Sequence, residues 1–360
     1  MYRPYNFLFL TGIFFVFTAC LSKPADLPVQ EYRGEPEEEA GPTEKSIGDE
    51  EFFPEIPAYP AELPVSSFDE IWAYLISGEE QTFKPGYPLS DIGYFGAEVN
   101  VYGEFVGVPN RRIPGFSGRV HLVVCCNSTS LTHFVLEPGS AVRKQLIADL
   151  LKAVKPFDGL QIDFENVPAR DGDSFRSFLA ELRAGLDDSK MFTVALRART
   201  RSLSNDVYDY RLIAPLVDRI LIMAYDEHWS TSPPGPVASM AWCRAVAAYG
   251  LLTIPPEKLI MGMPFYGRTW GSEDTFRAFF HSGIERIKRE NQVTEVRRES
   301  DIPTFTYEIP LTVTVYYDDE YSLSRRIEMY RDMGVKAIGF WRLGQETPAV
   351  WNLLNLVPQN

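Results

Sequence analysis

The stretch Asp158 to Glu165, DGLQIDFE, carries two carboxylates two residues apart among apolar neighbours. Read as a β-strand, it places Gln161, Asp163 and Glu165 on one face and Leu160, Ile162 and Phe164 on the other, because side chains alternate along a strand. Two acids on one face repel each other and are costly to desolvate. A chain keeps such a pair where one carboxyl must hold a proton while the other stays charged. That is the arrangement of acid catalysis at a glycosidic bond.

Something must hold these acids in place, and the sequence around them has a regular plan. Eight β-rich runs follow one another: 70–77, 91–99, 119–127, 159–165, 192–199, 219–226, 259–267 and 337–343. Most are almost continuously apolar, as expected of strands covered on both faces. Helical patterns lie between several of them. Ser140 to Val154 has apolar residues spaced by threes and fours, Ser174 to Leu186 and Leu323 to Met333 behave similarly, and Gly334 is a helix stop. The expected fold is α/β, a (β/α)8 TIM barrel, with a short insertion between strands seven and eight (residues 272–315) as a small wall over the cleft. An open doubly wound sheet is the alternative, disfavoured because no Gly-rich phosphate loop follows a strand.

Active sites of such barrels lie at the C-terminal ends of the strands. Asp163 and Glu165 fall at the end of strand four, Tyr225 and Asp226 at the end of strand six, Tyr266 and Arg268 at the end of strand seven, and Trp341 on strand eight. Aromatic faces stack on the C–H faces of sugar rings, while the hydroxyls need polar partners, so the set suits a carbohydrate better than a charged cofactor. Tyr74, Tyr94 and Glu98 serve either packing or substrate contact. Arg268 either binds sugar or neutralises Asp226, and His228 and Trp229, on the loop just beyond strand six, are further candidates to line the cleft.

The rest of the chain sets bounds. Arg3 precedes an apolar stretch from Phe7 to Ala19, too short to span a bilayer comfortably, and Cys20 follows. Residues 1–20 therefore read as a signal peptide, and the cysteine after small residues resembles a bacterial lipoprotein box with Cys20 as the site of lipid attachment. The expected location is exported and membrane-anchored, with plain secretion as the alternative. Residues 21–62 read as an acidic, Pro-rich disordered tether. Between 21 and 55 there are eleven acidic and three basic side chains, a net of −8 out of −14 for the whole chain, so the acidity says little about the ligand of the barrel, residues 63–360. No basic stripe points to nucleic acid. Cys125, Cys126 and Cys243 read as buried thiols, with a link from Cys243 to one of the others left open. The four histidines show no metal-ligand spacing, and neither metal nor cofactor is expected.

DGLQIDFE, MAYD (223–226) and GFW (339–341) together resemble the strand-four, strand-six and strand-eight motifs of glycoside hydrolase family 18, the chitinase-like enzymes. The resemblance runs over about residues 70–350. It implies cleavage of β-1,4 bonds at N-acetylglucosamine, in peptidoglycan or chitin-like oligomers, by a retaining mechanism in which the substrate's own acetamido oxygen attacks the anomeric carbon. By that likeness Glu165 carries the proton, Asp163 orients the acetamido N–H, Tyr225 donates to its oxygen and Asp226 helps hold that group. Trp341 forms the floor, and Gln161, Tyr266, Arg268, Tyr94 and Met223 are candidates for substrate contact. The sequence departs from the family pattern at three places. Gln161 stands where the middle Asp is usual, VVCCNSTS stands for the strand-three SxGG, and DFENV replaces DWE followed by Tyr. The amide together with DFENV looks like the branch of spore-cortex N-acetylglucosaminidases. A non-catalytic sugar-binding surface lipoprotein on the same barrel is the competing class, and the presence of Glu165 favours the enzyme.

Overall fold

A computed structural model describes residues 62–271, 276–308 and 312–358. The expected signal segment, Cys20 and all but the last residue of the tether lie outside the described residues. Eight parallel strands close on themselves: β1 (Glu70–Ile76), β2 (Asp91–Val99), β3 (Arg119–Cys125), β4 (Gly159–Asp163), β5 (Met191–Arg197), β6 (Arg219–Met223), β7 (Leu259–Pro264) and β8 (Ala337–Trp341). Each pairs with the next, and β8 pairs with β1, so no edge is left open. The (β/α)8 barrel expected from the apolar runs is present.

Alternation along each strand sorts side chains into two layers. On β1, Ile71, Ala73 and Leu75 face the helices, while Trp72, Tyr74 and Ile76 fill the barrel. Helices α1 (Ala141–Ala153), α2 (Gly172–Gly185), α3 (Met240–Thr253) and α4 (Glu320–Asp332) cover the outer layer. Ser140 caps α1 and Ser239 caps α3, each accepting from a backbone N–H in the first turn. Gly334, at φ +84°, ends the turn after α4 in the left-handed region open to glycine.

The N-terminal end of the barrel is plugged by charge. Arg119 donates to both oxygens of Asp91 at 2.7 and 2.8 Å, Arg219 reaches Glu70 at 2.7 Å, and His121 Nε2 lies 2.7 Å from Asp91. Burial alone would raise the Asp91 pKa, but His121 and Arg119 hold it down at about 2. With that end closed, the inner cavity opens only at the C-terminal ends of the strands.

The insertion is larger and more ordered than a short wall. It is a five-stranded antiparallel sheet, made by residues Tyr266–Gly271, Phe276–Phe280, Arg297–Glu299, Ile302–Glu308 and Thr312–Tyr316, with the helix His281–Glu290. It has its own small core around Ile284, Val296, Phe305 and Val315. Its first strand begins two residues after β7 ends. Tyr266 and Arg268, expected at the end of strand seven, therefore belong to this sheet. A further parallel pair, Ser66–Phe68 with Leu354–Leu356, ties the two ends of the barrel region together.

Candidate active site

A cleft of about 1070 Å³, counting its open mouth, lies at the C-terminal ends of the strands. Its lining includes Asp163, Glu165, Tyr225, Asp226 and Trp341 from the ends of β4, β6 and β8, with Tyr266 and Arg268 from the inserted sheet. Met223 also lines it. Tyr74, Glu98, Asn127 and Gln345 complete the polar part.

Four of the sequence candidates are not among its lining: His228 and Trp229 on the loop beyond β6, and Tyr94 and Gln161. Tyr94 lies on the outer face of β2 in the barrel–helix core, with its hydroxyl donating to Glu80. Gln161 is fully buried beneath the cleft floor. Glu98 reaches the cleft because the β2 register slips between Tyr94 and Ala97. That irregularity reverses the alternation, so a residue that strict periodicity would turn outward faces in. Asn127 and Gln345 gave no signal in the sequence: single amides just past β3 and β8 look like ordinary loop polars.

Below the floor, Tyr74 donates to Gln161 Oε1 at 2.6 Å, and Gln161 Nε2 donates to Thr193 at 3.0 Å. Gly93 makes this possible, since a Cβ there would meet the Tyr74 ring at 2.4 Å. The Gln161 amide is thereby committed to β1 and β5. Asp163, next above it on β4, is 7 % exposed, and its Oδ1 is buried without a hydrogen-bond partner among the described residues. Burial raises the Asp163 pKa well above the usual carboxylate range, Glu165 raises it further, and Arg197 opposes both. Glu165 is half-buried just past β4. Burial raises its pKa as well, Arg197 pulls it down and Asp226 pushes it up. The two acids thus share one low-dielectric corner in which ionising one hinders the other.

Asp226 follows β6 at φ +59°, a left-handed conformation that Asp tolerates better than most residues. That turn aims its carboxylate at the inserted sheet. Tyr266 donates to Oδ1 at 2.5 Å, and Arg268 donates to the same oxygen through Nε at 2.9 Å and a terminal nitrogen at 2.6 Å. Arg268 also lies 5.2 Å from the Tyr266 ring centre. The insertion therefore supplies the counter-charge for a barrel acid, an arrangement that sets Arg268 against Asp226 rather than leaving it free for sugar.

Opposite, the Trp341 indole packs against Tyr74 at 5.4 Å and edge-on to Phe95 at 4.8 Å. Its remaining face closes the floor of the cleft. Among the described residues there is no His, Cys, Asp and Glu cluster suited to a metal ion. Cys125, Cys126 and Cys243 are buried, and no disulfide joins one to another among the described residues.

Comparison with known proteins agrees with this geometry. The model of "Glycosyl hydrolases family 18" matches residues 130–346, a span that holds the strand-four, strand-six and strand-eight motifs. The chain is 33 % identical over 283 residues to the "Putative sporulation-specific glycosylase YdhD" of Bacillus subtilis, covering 74 % of this chain and 66 % of that protein. It is 23 % identical to the cortical fragment-lytic enzyme of Bacillus anthracis, covering 63 % of this chain and 56 % of that one. The chain thus spans about half to two thirds of these curated relatives. Among solved structures, the spore cortex-lytic enzyme SleL of Bacillus cereus superposes with a TM-score of 0.70 at 21 % identity, over 81 % of this chain and 74 % of that one, a likeness of fold. A family model that covers well over half of the chain, on a closed eight-strand barrel whose mouth holds the motif acids, leads to one assignment: the chain belongs to glycosyl hydrolases family 18.

Proposed function

We propose that this chain is a retaining glycosidase that cleaves β-1,4 bonds at N-acetylglucosamine, in peptidoglycan or chitin-like oligomers, with the substrate's acetamido oxygen as nucleophile. The observation that carries the reading is that the motif acids Asp163, Glu165 and Asp226 meet in one cleft at the C-terminal ends of the strands. Asp163 and Glu165 leave the end of the same strand, β4, and both line the cleft. A nucleophile must attack the anomeric carbon from the face opposite the leaving oxygen. The third acid, Asp226, already accepts three hydrogen bonds from Tyr266 and Arg268 on one oxygen, which lowers its nucleophilicity. By likeness to the family's motifs, the substrate's own 2-acetamido oxygen serves as the nucleophile.

In this reading Glu165 gives its proton to the glycosidic oxygen as the acetamido oxygen bonds to the anomeric carbon and the C–O bond breaks. The resulting carboxylate then takes a proton from the water that opens the cyclic intermediate. Glu165 suits both steps, since burial raises its pKa and no hydrogen bond ties it among the described residues. Asp163, with an unpartnered buried oxygen, accepts the acetamido N–H and balances the positive charge that develops. The Tyr225 hydroxyl, kept protonated by burial, donates to the acetamido oxygen. Trp341 supports the ring.

The test is to incubate purified residues 63–360 with peptidoglycan and with chitin oligomers and to weigh the products. Cleavage on the reducing side of N-acetylglucosamine is expected. Fully deacetylated oligomers should resist, and rapid cleavage of them rejects acetamido participation. Binding without any cleavage would move the chain to the carbohydrate-binding class. We further propose export with lipid attachment at Cys20. Fatty-acid labelling of the full chain that persists in Cys20→Ser rejects that anchor.

A further inference from the structure

Strand β5 ends in Arg197, and its position is set by what precedes it on the same face. Thr193 is fully buried and bonded to Gln161, and Ala195 lines the cleft. Two residues on, about 7 Å further along the strand, Arg197 continues that inward row at the rim. Its backbone is pinned. The carbonyl accepts the Tyr210 hydroxyl at 2.6 Å, and the residue stands in register with Met223, itself part of the cleft lining.

The guanidinium is exposed and makes no hydrogen bond or ion pair among the described residues. Its neighbours differ. Arg199, two residues on, is held by Asp206 at 2.7 and 3.0 Å, and Arg268 across the cleft is held by Asp226. The cleft also contains Asp163, Glu165, Asp226 and Glu98, so an uncommitted cation at its rim is out of keeping with its surroundings. Its field reaches the floor, because it opposes the upward shifts of Asp163 and Glu165. A guanidinium on a fixed strand end presents a planar fork that matches a carboxylate and gains little from neutral hydroxyls.

We propose that Arg197 binds a carboxylate carried by a sugar next to the cleaved bond, and so makes the cleft selective for acidic over neutral amino-sugar glycans. This rests on the glycosidase reading and narrows its substrate. The same cation also acts on Asp163 and Glu165, but that influence falls on every substrate alike. The ratio between two substrates removes it.

The experiment compares wild type, Arg197→Gln and Arg197→Lys on two probes. One is a neutral β-1,4 N-acetylglucosamine oligomer. The other is a peptide-free glycan alternating N-acetylglucosamine with N-acetylmuramic acid, whose lactyl carboxylates are free. The acidic-to-neutral ratio of kcat/KM is expected to fall about tenfold in Arg197→Gln, mainly through KM, with partial recovery in Arg197→Lys. Amidating the carboxylates should lower the wild-type ratio by the same factor. A ratio unchanged by Arg197→Gln overturns the proposal, as does a wild-type ratio indifferent to amidation. Calorimetric binding of the two probes reads the same ratio without turnover. A chain that binds both and cleaves neither defeats the glycosidase reading alone, and one that binds neither defeats both.

Discussion

Replacing Gln161 by glutamate changes one side-chain group and turns a silent buried contact into a titrating one. The amide is fully buried, accepts from Tyr74 and donates to Thr193. A protonated carboxyl reproduces both bonds. An ionised one loses its donor and places a charge in a dry barrel beneath Asp163, which burial already pushes well above its usual range. The introduced group therefore has a raised pKa in the folded state and about 4.3 in the unfolded chain. Below that pH both states are protonated and the variant keeps its stability. As pH rises further, the unfolded chain releases the proton and the folded one does not, so stability falls by about 1.4 kcal/mol per unit until the folded pKa is reached. If the group stays protonated to pH 7, the loss there is about 4 kcal/mol relative to pH 4. Gln161→Leu provides the contrast. It leaves the Tyr74 hydroxyl buried without an acceptor, which costs about 1–3 kcal/mol at every pH because nothing at the position titrates. Urea unfolding of residues 63–360 at pH 4, 5, 6 and 7, read as the difference from wild type, separates the two. If Gln161→Glu tracks wild type across that range, the barrel floor is wet and the reasoning fails. A pH slope in Gln161→Leu would refute it equally.

Other outcomes follow from the same structure. Because Asp91 is held at about 2, its contribution is present above the unfolded value of about 3.9 and is lost as pH falls toward 2. Wild type should therefore shed about 2 kcal/mol more than Asp91→Asn between pH 4 and pH 2 in denaturant titrations, and parallel curves would contradict the plug at the barrel base. Burial pushes the Cys126 and Cys243 thiols up to about 11, and Cys125 is buried as well. Residues 63–360 should thus resist a colorimetric thiol reagent at pH 8 until unfolded, and then show three thiols without reductant. A count of one would reveal a disulfide.

The barrel was legible because its strands announce themselves. Runs such as RVHLVVCC and LIMGMP are apolar on both faces, as only strands covered on both sides need to be. The inserted sheet was not, because its strands are short and mix charged with aromatic residues, as in RRE and IPTFTYE. Such segments carry neither a strong period nor a continuous apolar run. That gap misplaced Tyr266 and Arg268, since LIMGMPFYG reads as one strand although the chain leaves the barrel after Pro264. Their pairing with Asp226 spans 40 and 42 residues in sequence, and only the fold brings it together. Glu98 faces the cleft through one register slip on β2, whereas Tyr94, before the slip, keeps the outward alternation of Ile92. Gln161 stood out as a departure from the family motif, but its partners Tyr74 and Thr193 come from other strands and left no local trace.

The central claim is that Glu165 carries the proton in a cleft that hydrolyses N-acetylglucosamine linkages. Turnover of a β-1,4 N-acetylglucosamine oligomer by Glu165→Gln tests it most directly, with the dissociation constant measured alongside. Loss of a general acid–base group predicts a fall in kcat of about 10²–10⁴-fold with binding changed by no more than a few-fold. Turnover within a few-fold of wild type would contradict the claim.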